Sequence, residues 1–206
     1  MRVPRKRLLQ LGAVLTLGAV VVVFTTFASA ASGSADHVRW DITHLAGGAP
    51  PGPITPGGSA SATAANGGGT ITLTGTGTFV APASGGGSNA VTGGGNWTTS
   101  APYAGSGTYK VVELADWEFA SFQAPPPVFV DLIGDAKNKP ANGNAVMRIE
   151  FSDGSHGVLT VGCHGPAAPA GIFEGIAVTK GYTTYYITPA PVAGDPNGRT
   201  LFHVRV

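Results

Sequence analysis

Residues 144–163 read NAVMRIEFSDGSHGVLTVGC. Two alternating runs, NAVMRIEF (144–151) and HGVLTVGC (156–163), stand on either side of SDGS (152–155). Successive side chains of an extended chain point to opposite faces, so alternation with period two marks a strand buried on one side. Met147, Ile149 and Phe151 share one face, and Arg148 and Glu150 share the other. Asp, Gly and Ser between two such runs supply the turn of an antiparallel hairpin. This stretch predicts a β protein.

The same pattern recurs outward from the hairpin. HVRWDIT (37–43) sets Val38, Trp40 and Ile42 against His37, Arg39 and Asp41. TITLTGTGTF (70–79) reads as one strand, with Ile71, Leu73 and Phe79 on one face and five threonines on the other. Gly75 and Gly77 fall on its apolar face, where a missing side chain implies a bend or a close neighbouring backbone. GTYKVVELADWEF (107–119) is a long strand ended by APPP (124–127), FEGIAVTKGYTTYYI (173–187) supplies two strands around Lys180 and Gly181, and RTLFHVRV (199–206) supplies another. AGGAPPGPITPGG (46–58) has the composition of a loop, and ASGGGSN (83–89) and TGGGN (92–96) read as turns. No amphipathic helical pattern interrupts the series. The expectation is an all-β domain, a mostly antiparallel barrel or sandwich of roughly eight to ten short strands.

Residues 1–30 read as a signal peptide that is not part of this fold. Arg2, Arg5, Lys6 and Arg7 precede a long uncharged apolar run that closes in Ala28-Ser29-Ala30. A basic start, an apolar middle and a small-x-small end are its three parts. The competing reading is an uncleaved membrane anchor, since a span needs about 20 apolar residues. The expectation is therefore a secreted or extracytoplasmic protein, with a single glycine-rich domain over 31–206. Four of the twelve basic residues lie in the leader, leaving the domain more acidic than basic. With no basic run, it is a poor partner for a phosphate backbone, and nucleic acid is not expected.

Cys163, the one cysteine, is followed directly by His164. Strand alternation puts the two side chains on opposite faces and groups Cys163 with Leu159 and Val161. A buried small hydrophobe is the expected role, and a lone cysteine makes no internal disulfide. The five histidines show no ligand spacing: His156 and His164 share a face but lie about 26 Å apart along a strand, and His37 and His44 fall on opposite faces. Solvent-facing histidines are expected, with no metal. Asp116 and Glu118 project to one face about 7 Å apart, a spacing that could divide acid and base roles. Alternation with Trp117 and Phe119 explains them equally as a polar strand face. GTGTF (75–79) lacks the third glycine and the helix of a dinucleotide site, so no cofactor is expected. NWT (96–98) fits a glycosylation sequon, a tripeptide that also arises by chance.

Aromatic residues are the best candidates for binding. YTTYY (182–186) offers Tyr182, Tyr185 and Tyr186, and Trp97 adds a fourth ring in a glycine-rich stretch. Tyr182 and Tyr186 share parity and Tyr185 opposes them, so one side faces out. Such rings stack on sugars or apolar molecules while their polar edges tolerate water. The functional expectation is a non-catalytic secreted or cell-surface domain that binds a glycan or a small apolar ligand. A small cavity-type barrel enzyme (isomerase or hydrolase) and a structural envelope protein are the alternatives.

DHVRWDI (36–42), ITLTGTGTFVAP (71–82), VTGGGNW (91–97), RIEFSDGSHGVLTVGCH (148–164), FEGIAVTKGY (173–182) and RTLFHVR (199–205) together resemble a group of exported bacterial β-proteins. The resemblance implies a secreted domain and brings no site residues with it. The GTGTF strand among glycine-rich turns is also similar to dirigent and allene-oxide-cyclase barrels, over a few residues only. Fold similarity of that kind does not fix function.

Overall fold

The computed structural model describes residues 34–47, 52–65, 67–125, 129–134, 137–186 and 198–206; the expected leader lies outside them. The described residues contain thirteen strands and no helix. In chain order these are β1 (Asp36–Leu45), β2 (Pro53–Pro56), β3 (Ala60–Thr63), β4 (Thr70–Leu73), β5 (Thr76–Ala81), β6 (Val91–Thr99) and β7 (Gly105–Phe122). They continue with β8 (Val130–Asp131), β9 (Asn138–Phe151), β10 (His156–Cys163), β11 (Gly175–Lys180), β12 (Thr183–Tyr185) and β13 (Gly198–Arg205).

Six of them close an antiparallel barrel. β1 pairs with β5, β5 with β6, β6 with β7, β7 with β9, β9 with β13, and β13 returns to β1. The expected hairpin is β9–β10, in register from His156 opposite Glu150 to Cys163 opposite Gly143. Met147, Ile149, Phe151, Leu159, Val161 and Cys163 are all buried, as the alternation requires. Arg148 and Glu150 lie on the other face, where they pair with Glu113 and Lys110.

Long strands let the ring close and still carry extra strands. One edge of β9 pairs first with β13, at Asn138 to Ala141, and then with β10, from Gly143 onward. β6 divides an edge in the same way between β5 and β4, and β1 between β5 and β2. β10, β11 and β12 thus splay from one side of the barrel and β4 and β3 from another. A short parallel pair, β2 with β8, lies beside β1. β7 follows the curvature through three register shifts, between Val111 and Glu113, Leu114 and Asp116, and Phe119 and Ser121. Each extra residue bends its strand and increases the local twist.

Three expectations need correction. The stretch 70–79 is two strands, because the chain leaves the flanking sheet after Leu73 and enters the ring at Thr76. Gly75, between them, and Gly77, in β5, do meet a close neighbour: a Cβ at Gly75 would overlap the Tyr109 hydroxyl, and one at Gly77 would stand 2.7 Å from Trp40 Nε1. TGGGN is no turn but part of β6, where Gly95 lies so close to Thr74 that no side chain fits. The loop-like stretch 46–58 contains β2, and β3 and β8 were also illegible. Each is short, and pairing rather than alternation defines it.

Inside the ring Trp40, Phe79 and Phe202 are wholly buried around Trp117, whose centroid is 5.3 Å from that of Phe79 and 4.7 Å from that of Phe202. A second aromatic group lies under the flanking strands, with Trp97 5.7 Å and Tyr109 6.3 Å from Phe151. Tilted and edge-on contacts of this kind add to the area term of burial. The outer face of β1 and β13 is covered as well. Asp41, Thr43, Leu201 and His203 are buried there, with Ile54 of β2 and the segment 129–134 beside them.

Candidate ligand-binding cleft

The β11–β12 hairpin is tight. Lys180 pairs with Thr183, leaving Gly181 and Tyr182 as the two loop residues. Gly181 has φ of +55°, which a two-residue hairpin turn demands and glycine adopts without strain. The turn throws Tyr182 outward, fully exposed, whereas Tyr185 is 1% exposed and pairs with inward-facing Val178. Opposite this tip, the β6–β7 connection carries Tyr103, 64% exposed. Thr99 Oγ1 donates to Tyr103 O at 2.6 Å and holds the connection in place.

Between the two tips lies a cleft of about 580 Å³, lined chiefly by Trp97, Tyr103, Asp153, Lys180, Tyr182 and Tyr185. Trp97 forms the floor rather than a wall. It is 4% exposed, its Nε1 donates to Thr108 O at 3.1 Å, and the Lys180 ammonium lies 4.2 Å from its ring centroid. Lys180 Nζ also pairs with Asp153 and donates to Ser155 Oγ at 2.9 Å. The Lys180 hydrogen bond outweighs partial burial and, with the Ser155 hydroxyl and N–H, brings the Asp153 carboxyl down to about 2. Asp153 is therefore ionised at neutral pH and accepts hydrogen bonds without donating them. Burial pushes the Tyr185 hydroxyl up, opposed by its hydrogen bond with Thr183.

Of the four aromatic residues singled out in the sequence, Trp97, Tyr182 and Tyr185 line this cleft and Tyr186 does not. Trp97 lies in a strand and is buried, so it is not the exposed loop ring that its glycine-rich context implied. Tyr186 is exposed, and its backbone N–H reaches Thr63 O at 3.2 Å, joining the end of β12 to β3. Tyr103, Asp153 and Lys180 were missed. Tyr103 gave no signal beyond an isolated ring beside Pro102, and the other two read only as turn residues.

Cys163 is buried, and β10 ends with it. His164 turns away, its Nδ1 2.6 Å from Ile172 O, so no imidazole serves the thiol. Burial, and after it the nearby Glu174 carboxyl, pushes the Cys163 thiol well up, and a protonated thiol is a poor nucleophile. The small cavity there, about 270 Å³, is lined also by Glu174. That carboxyl accepts from the His164 N–H at 2.7 Å and the Thr200 N–H at 2.8 Å. Its hydrogen bonds bind chain segments together rather than presenting a free group. Asp116 and Glu118 are exposed on β7, as a polar strand face would be, and neither lines the cleft. His203, expected to face solvent, is buried under the segment 129–134 instead. Among the described residues no three of His, Cys, Asp and Glu converge on a metal position.

No protein-family model matches this chain, and comparison with curated proteins and with solved structures finds no match. The site therefore rests on its own geometry.

Proposed function

We propose that this is an exported, non-catalytic binding domain that takes a glycan in the cleft between Tyr103 and Tyr182. The observation that carries this reading is the pair of exposed rings facing one concavity across an ion pair. A sugar ring has apolar C–H faces and a rim of hydroxyls. Aromatic faces take the first, and a fixed carboxylate with an ammonium and threonine hydroxyls takes the second. A purely apolar ligand would leave Asp153 and Lys180 poorly solvated, at a cost. Among the described residues no histidine lines the cleft, and an Asp153 carboxyl at about 2 supplies no proton at neutral pH. The Lys180 ammonium is held by Asp153 and Ser155 rather than presented free, which favours binding over turnover.

The test is a glycan array followed by calorimetry on the best ligand. Tyr182→Ala is expected to weaken binding by about tenfold, and Tyr103→Ala by a similar factor, from lost stacking. Tyr182→Phe is expected to keep most of the affinity. If both alanine variants bind as the parent does, or if the ligand is chemically altered on incubation, the reading fails.

A further inference from the structure

We infer that the outer face of the barrel carries a second site, a preorganised groove for a small molecule bearing a phosphate or carboxylate group. The groove, about 630 Å³, lies over β5, β1 and β13 and is lined by His37, Arg39, Lys137, His203 and Arg205 along with Thr78. Register builds it. Thr78, Arg39 and His203 stand side by side across three strands, and His37 opposite Val80 forms the next rung. Arg205 lies two residues beyond His203 on the same face of β13. Cross-strand neighbours are about 5 Å apart and successive rungs about 7 Å, a span that one small anion and its attached group can cover.

Charge is the first argument. From residue 31 onward acids outnumber bases, yet three of the lysines and arginines and two of the five histidines meet in this one groove. Among the described residues its lining includes no carboxylate, although Asp41 and Asp131 pair with Arg39 and His203 beside it. Those two carboxylates offset part of this charge, and the basic edges that line the groove still favour an anion over a cation there.

Bracing is the second argument, and it is independent. Asp41, 1% exposed, holds Arg39 through Nε at 2.8 Å and Nη2 at 2.9 Å, and also accepts from Thr76 Oγ1 at 2.6 Å. That fixes the guanidinium and leaves its Nη1 donors for another acceptor. Asp131 holds His203 at Nε2, 2.6 Å away, while its other oxygen accepts from the Ile133 N–H at 2.8 Å and the Gly134 N–H at 3.1 Å. His203 Nδ1 is buried and has no hydrogen-bond partner among the described residues. A buried polar atom left unpaired is costly, and here it belongs to a ring at the groove. With Nε2 held by Asp131, the ring keeps Nδ1 as its one unsatisfied polar atom. Arg39 and His203, each held by a carboxylate, make a site whose ordering cost is met in the fold.

Titration of the purified protein with inorganic phosphate and, separately, with succinate tests this by calorimetry and by imidazole NMR. Saturable binding is expected below about 10 mM for at least one of the two, with the His203 and His37 ring signals moving together. Phosphate alone binding assigns a phosphate-bearing ligand, and succinate alone a carboxylate. Arg205→Gln, an exposed substitution, is expected to weaken binding by about fivefold or more, and Lys110→Gln, outside the groove, by none. No saturation with either probe, or equal loss from Lys110→Gln, overturns the proposal. These probes do not report on glycan binding, so the two sites stand or fall separately.

Discussion

The aromatic cleft and the basic groove are both concave, but they are built in opposite ways. The cleft has its working rings on two hairpin tips, and its ion pair, Asp153 with Lys180, sits at a turn where the carboxylate is 42% exposed. The groove has Arg39 and His203 on the wall of the closed ring, each anchored to a carboxylate. A surface pair in high dielectric contributes little to stability, whereas a buried one is costly to break because a lone charge is left behind. Side chains at the tips are thus free to be tuned for a ligand. Those in the groove are bound up with the fold.

The sharpest way to break this contrast is to fill the space behind each site. Gly77 lies in the barrel wall under the groove, where a Cβ would clash with the Thr92 backbone and with Trp40 Nε1 at 2.7 Å. Gly77→Val is expected to cost about 3 kcal/mol or more, or to prevent folding. Gly105 lies under the cleft, where a Cβ would meet the edge of Trp97 at 3.1 Å. Gly105→Ala is expected to cost about 1 kcal/mol or less, since one ring can give way. Urea unfolding of the two variants measures the difference, and equal costs would abolish the distinction.

A smaller effect separates the two polar pairs. His203→Ala strips Asp131 of its ring partner in a partly buried setting and is expected to cost about 2 kcal/mol. Lys180→Met keeps the apolar stem over Trp97 and Phe151 while deleting the charge, and is expected to cost about 1 kcal/mol or less. The midpoints of denaturant unfolding give both numbers. A larger loss for Lys180→Met would place the structural pair at the cleft instead.

The smallest effect is in acid. Burial pushes the Asp131 carboxyl up, but the His203 hydrogen bond and the Ile133 and Gly134 N–H groups outweigh it and bring it to about 2. Asp153 also lies at about 2, chiefly through Lys180. Both are lowered from 3.8, so each contributes stability that is present above about pH 4 and is lost as pH falls towards 2. Salt separates them, because the more exposed Asp153 pair is screened and the Asp131 pair less so. Unfolding followed between pH 2 and pH 5 is expected to show a shallower slope in Asp131→Asn at any salt concentration. In Asp153→Asn the change is expected at low salt only.

Alternation made β1, β7, β9, β10, β11 and β13 legible, because each has one face against a core and the period of two is written in its apolar residues. It also placed Cys163 inside and set Tyr182 and Tyr186 on the face opposite Tyr185. It could not find β2, β3 or the glycine run of β6. A glycine carries no facing signal, and PITP and ASAT are too short for a period to show. His203 was misplaced for a related reason. Alternation sets it opposite Phe202 and so on the outer face, but the covering segment 129–134 buries that face too.

By itself the sequence determined that this domain is all-β, that its pairing is mostly antiparallel, and which side chains of its longer strands point inward, since those follow from local periodicity and turn chemistry. Only the tertiary structure decided which strands close the ring, because register between distant segments depends on contacts no local pattern encodes. It alone brought Tyr103 across from Tyr182 and set Arg39 beside His203. In each case the partners are far apart in the chain, and a strand records which way a side chain points but not what it will face.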